Sequence, residues 1–159
     1  MRENFNIKTE IALAIMPSIT VVAVLMLLQA FSKQQLLFSS LASSAFLIYL
    51  DPKHPANSIR TLVIAQTSAA IIGYLTFLVA GTGYVAASFS MIIAIVVMIL
   101  SRAMHPPAVS TALLFAFQPP KANTLLLFLF AVLLLVILII LQRLSLWIIK
   151  KSEIFTAKK

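Results

Sequence analysis

Ser-Arg-Ala-Met-His-Pro-Pro-Ala-Val-Ser-Thr-Ala-Leu-Leu, residues 101–114, puts an arginine, a histidine and two adjacent prolines into one of the most apolar parts of a very apolar chain. Of its 159 residues, 62% are hydrophobic and 10% are charged. An ordinary soluble domain carries about 25% charged residues. With so little polar surface to face water, the chain reads as an all-α integral membrane protein, a polytopic bundle in one domain over residues 1–159.

The apolar runs on either side of the motif define the segments. Residues 11–30 make a full first crossing, with Pro17 as a kink and Ser18 and Thr20 close enough to satisfy freed backbone groups. Residues 36–50 are short for a bilayer and stop at Asp51-Pro52. After the Pro- and Asn-rich residues 51–57, a third segment is expected over 58–80, ending at Gly81-Thr82-Gly83. The fourth covers 84–101 and ends in the opening motif. The fifth, 106–117, has room for only about 18 Å of helix. The sixth, 124–149, is the longest, with Trp147 at headgroup level and a basic tail over 150–159.

Charge decides whether the short fifth segment crosses or dips and returns. If it crosses, ten of the twelve lysines and arginines share one side with both termini, and only Lys33 and Lys121 face the other. If it returns, the split is six against six. The positive-inside rule favours the first, so six membrane segments are expected, with both termini cytoplasmic, in the cytoplasmic membrane. Residues near 102–106 must then lie at membrane depth, which is tolerated only for backbone buried in protein or lining a polar cavity. The end of the second segment, Asp51 to Pro55, should reach in from the same side. Two short, Pro-interrupted segments in corresponding places point to a transporter site.

The chain's two histidines, His54 and His105, each precede a proline and a Ser/Thr-containing helix start. That is a faint sign of a parallel two-helix repeat. Pro106 and Pro107 are suited to the first turn of a helix, whose N-terminus offers N–H groups and the positive end of its dipole beside Arg102, His105, Ser110 and Thr111. Lys53, His54, Asn57, Ser58 and Arg60 supply the same kinds of group in the earlier stretch, and Gln66 adds a carboxamide to the third segment. With no carboxylate inside any apolar run, these twelve residues suit a small anion better than a cation.

Each has a structural reading as well. Arg102 can be a snorkelling, topology-setting charge, and His-Pro-Pro a helix break with His105 bonded to a carbonyl. Asp51 with Lys53 or Arg60 reads as a local ion pair. Ser39, Ser40, Ala42, Ser43, Ser44 and Ala45 suit helix packing, and Gln66 can bond another helix instead of a ligand. The absence of cysteine excludes disulfides and thiolate chemistry. No triad, metal spacing or phosphate loop occurs, so neither an enzyme nor a cofactor is expected. The net charge of +8 fits topology and anionic lipid in the bilayer, without a nucleic-acid partner.

Met104-His105-Pro106-Pro107 at the end of an apolar helix, with Arg102 before it and Thr111-Ala112-Leu113-Leu114 after it, resembles the HPP family of small integral membrane proteins. Asp51 to Arg60, with Gly73 further on, is similar to that family's earlier loop and helix. The resemblance spans roughly residues 15 to 140. It implies four membrane helices as the family is usually described. Because some plant chloroplast and cyanobacterial members carry nitrite, it also implies a small inorganic anion, most plausibly nitrite, as substrate. Ala108 and Val109 stand where many members have two glycines, and Ala65-Gln66 where many have Gly-His. The expected function is therefore an anion transporter or channel, acting as a homo-oligomer because 159 residues make a thin bundle. The competing reading is a non-transporting membrane scaffold or subunit in which the His-Pro motifs only shape helices.

Overall fold

The computed structural model describes residues 35–118 and 123–156, together with Ile11, Ile15, Ser18, Ile19, Val22 and Met26 of the first apolar run. Those six positions are helical; the rest of the expected segment 11–30 lies outside the described residues, as do Lys33 and Lys121. Five helices follow: α1 (Gln35–Leu50), α2 (Ile59–Ala80), α3 (Tyr84–Leu100), α4 (Ala108–Ala116) and α5 (Thr124–Thr156). A 3-10 turn, Pro55–Asn57, lies between α1 and α2. Two helices, Ile59–Ala80 and Thr124–Ile148, are long and apolar enough to cross a bilayer alone; Ser39–Leu50 and Tyr84–Leu100 are shorter apolar helices.

Two boundaries differ from expectation, each for a local reason. Helix α4 begins at Ala108, two residues beyond Pro106. His105, Pro106 and Pro107 first make a tight turn in which their carbonyls accept the N–H groups of Ala108, Val109 and Ser110. Helix α5 continues past residue 149 to Thr156. Lys150, Lys151 and Glu153 end the apolar run without ending the helix, because all three are good helix formers.

Small residues let the backbones approach. Ala65, Ala69 and Gly73 repeat every fourth residue on α2 and face Ala108 and Ala112 on α4, with Ala94 and Met98 of α3 closing the cluster. A Cβ added to Gly73 would lie 2.5 Å from the Ala112 carbonyl oxygen and 2.7 Å from Phe115 Cδ2. Ser90 of α3 donates to that same carbonyl at 3.1 Å. In a bilayer, where hydrophobic burial cannot drive helices together, such close van der Waals packing is what holds them.

A second core joins α5 to α1 and α2. Leu127, Ala131, Leu134, Leu138 and Leu141 form a buried stripe at alternating spacings of four and three, set against Leu41, Ala45, Ile48, Leu62, Ala70, Leu114 and Phe115. The Tyr74 ring lies between Phe115 and Phe128. Leu75, Val79, Ile92, Ile99, Leu129 and Ile140 point outward and exposed, as lipid-facing side chains do.

Hydrogen bonds between elements fix their levels. The Gly83 N–H, in the turn between α2 and α3, bonds the Ala116 carbonyl at 2.8 Å, so α4 ends at the Gly81–Gly83 end of the bundle. Helix α3 covers the same distance in 17 residues, about 25 Å, whereas α4 has nine, about 13 Å. The non-helical residues 101–107 make up the difference by running back into the bundle before α4 starts.

Candidate functional site

The break between α3 and α4 begins with a left-handed residue. Arg102 has φ 52°; its N–H bonds the Ile99 carbonyl at 3.1 Å, and the Ala103 N–H bonds that of Met98 at 2.9 Å. This is a Schellman motif with arginine in the position usually held by glycine, closed by the buried pair Met98 and Ala103. The chain then turns inward, leaving Arg102 exposed and burying His105 completely.

His105 is held at both ring nitrogens. Nδ1 lies 3.0 Å from the Ala56 carbonyl oxygen, and Nε2 lies 2.9 Å from Ser44 Oγ on α1. Because a carbonyl only accepts, the proton belongs on Nδ1, and Nε2 of the neutral ring accepts from the Ser44 hydroxyl. Ala56 also serves the other histidine, its N–H donating to His54 Nδ1 at 3.1 Å. Both histidines of the chain therefore meet at one residue of the Pro55–Asn57 turn, and the two His-Pro stretches that the sequence paired are joined in space.

Their backbones also match. In each, the histidine carbonyl accepts from the residue three on, Asn57 or Ala108, and the following proline carbonyl from the next, Ser58 or Val109. The second stretch runs straight into α4. The first is interrupted at the extended Ser58, whose side chain caps α2 by accepting from the Thr61 N–H at 3.2 Å.

One turn before Ser44 on α1, Ser40 enters a closed ring. The Thr111 hydroxyl of α4 donates to Gln66 Oε1 of α2 at 2.7 Å. Its oxygen is then the acceptor for the Ser40 hydroxyl at 2.8 Å, and Ser40 Oγ accepts from Gln66 Nε2 at 3.3 Å. All three residues are buried, as are Ser44 and His105. The result is a core of neutral polar groups where α1, α2, α4 and the His-Pro turn cross, enclosed by alanine and leucine.

A family model for the HPP transmembrane region matches residues 4–151, nearly the whole chain. This chain belongs to the HPP family. It is a membrane-embedded protein of that family. No curated protein and no solved structure matches it.

In this HPP protein the remaining expected site residues take separate places. Pro107 is buried and Pro106 exposed, while Ser110 is half-buried. The first three N–H groups of α4 are bonded to the carbonyls of residues 105–107, so they are not the open donors expected of a helix start. Lys53, His54 and Arg60 are exposed around the entrance to α2. Asp51 Oδ1 accepts the Lys53 N–H at 3.1 Å. Asn57, buried, uses its amide to hold the Leu47 and Asp51 carbonyls at the end of α1, each at 2.8 Å.

Gln66, His105 and Thr111 stand out in the sequence, whereas Ser40 and Ser44 read there as packing residues. The two Ser-Ser pairs four residues apart on α1, Ser39-Ser40 and Ser43-Ser44, are the available signal, and only the fold shows that the second serine of each pair is the buried one. Gln142 was also passed over. It is buried on α5, with Nε2 3.4 Å from the Pro52 carbonyl, and ties that helix to the first His-Pro stretch.

Proposed function

We propose that this HPP protein is a transporter or channel for a small inorganic anion, nitrite being the first candidate. The observation that carries the reading is the buried set of Ser40, Ser44, Gln66, His105 and Thr111. It offers hydroxyl and amide donors with no carboxylate among them, while the His105 N–H is held by the Ala56 carbonyl. Once turned toward an ion, such donors can solvate an anion that has left its water, and the set holds no negative charge to balance a cation. The exposed Lys53, Arg60 and Arg102 near the His-Pro stretches would raise the local anion concentration. In this proposal the protein is no enzyme and needs no cofactor. It would sit in the cytoplasmic membrane as a homo-oligomer, with six crossings and both termini inside.

A structural observation favours a second reading, that of a non-transporting scaffold. The Ser40–Thr111–Gln66 ring closes on itself, so each hydroxyl already has a donor and an acceptor partner. Transport requires the ring to open toward an ion. Flux of nitrite, nitrate and chloride into liposomes containing the purified protein separates the two. Transport predicts saturable uptake of at least one of these anions, reduced tenfold or more in His105→Ala and Thr111→Val. If none of the three moves, the transport reading fails and the scaffold stands.

A further inference from the structure

The far part of α5 carries a surface feature that the network does not use. The contact between Gln142 and the Pro52 carbonyl fixes the level of α5 against the first His-Pro stretch. Beyond it the helix continues 14 residues to Thr156, about 21 Å. Arg143, Trp147 and Lys150 follow at intervals of four and three, so they share one face, and all three are exposed. Arg143 falls within the apolar span Thr124–Ile148, about 7 Å of helix before its end, while Lys150 falls just outside. At this end the Asp51 side chain accepts the N–H of Lys53, and Glu153 follows three residues beyond Lys150 on the helix, so the basic residues outnumber the acidic ones.

We propose that Arg143, Trp147 and Lys150 form a binding face for the headgroup of an anionic phospholipid. A guanidinium on the lipid-facing side of a helix, short of the interface, extends along its aliphatic stem toward the phosphate layer. There it meets phosphate oxygens in the fork geometry that arginine favours. Lys150 approaches the same layer from the water side, and the indole, half apolar and with one N–H, belongs at the boundary between them. The three side chains thus bracket the depth of a phosphate group on one helical face. Lys53, adjacent in sequence to the loop carbonyl that Gln142 holds, adds positive charge at the same level. A zwitterionic lipid carries the same phosphate but brings its own cation against these residues, so an anionic headgroup is the occupant that fits.

Trp147 is the only tryptophan of the chain and reports on its own site. The experiment is fluorescence quenching of the full-length protein in phosphatidylcholine vesicles, titrated with brominated phosphatidylglycerol or, separately, brominated phosphatidylcholine. Each basic residue at an anionic surface contributes about a fivefold factor in binding. Half-maximal quenching is therefore expected at an at least fivefold lower mole fraction of the anionic lipid. The preference should disappear in the Arg143→Gln, Lys150→Gln double variant and persist in Arg60→Gln. Equal quenching by the two lipids in the unaltered protein overturns the proposal. So does absence of quenching by either, which would mean that another protein surface covers the face. Equal loss of preference in Arg60→Gln overturns it as well, since it would indicate diffuse surface charge in place of a site.

Discussion

Arg102 adopts the left-handed conformation at the close of α3, with φ 52°. A residue bearing a Cβ there costs about 1 kcal/mol or more relative to glycine. Arg102→Gly should therefore raise the thermal midpoint of the detergent-solubilised protein, and Arg102→Val should lower it. A lower midpoint for both would mean that the exposed guanidinium holds the turn. The buried ring makes a different prediction. Thr111→Val leaves the Gln66 oxygen without its donor and the Ser40 hydroxyl without its acceptor, at a cost of about 1–3 kcal/mol. Replacing the whole ring, with Ser40→Ala, Gln66→Met and Thr111→Val, should recover most of that loss, because no polar atom is then left stranded. Denaturation of the single and triple variants measures this. If the triple variant is as stable as the parent but carries no anion, the ring serves the ion; if flux survives, it serves packing.

At the scale of elements, the contact between α2 and α4 is the tightest constraint. Gly73→Ala drives a methyl against the Ala112 carbonyl and the Phe115 ring, and α4 must move away from α2. Overpacking of this kind costs about 1–3 kcal/mol. Because α4 carries Thr111 at its centre and follows directly on His105, the same change should weaken the polar network as well as lower the thermal midpoint. An unchanged midpoint would show that the helices can slide apart freely. Most of this architecture was legible in the sequence, since apolar runs bounded by Pro, Gly and Asn mark α1 to α4 within two residues. The end of α5 was not, because hydropathy marks where lipid ends, and a helix ends only at a stop signal. The cross-helix bonds were partly legible. Gln66, His105 and Thr111 are conspicuous in apolar surroundings, whereas serines such as Ser40 and Ser44 are equally common as plain packing residues, and pairing across 61 or 71 residues leaves no local trace.

For the whole molecule, the described cations are unevenly placed. Lys53, Arg60 and Arg102 lie on the two His-Pro stretches, which His105 joins at Ala56, and Arg143 and Lys150 lie at or beyond the level where Gln142 meets Pro52. All five are at one end of the bundle. The opposite end has the uncharged Gly81–Gly83 turn and the end of α4, bonded to each other. The proposed six-crossing topology requires this separation, and under the positive-inside rule that proposal predicts a cytoplasmic charged end. The chain has no native cysteine, so single cysteines report without background. With a membrane-impermeant maleimide, Thr82→Cys should label in intact cells, whereas Lys53→Cys and Lys150→Cys should label only after the membrane is opened. The informative comparison is between the two lysine positions. If α4 dipped in and returned, Lys150 would label together with Thr82, and the level set by Gln142 and Pro52 could not hold in the membrane. Shared behaviour of Lys53 and Lys150, opposite to Thr82, requires α4 to carry the chain across, with residues 101–107 supplying at membrane depth the length that nine helical residues lack.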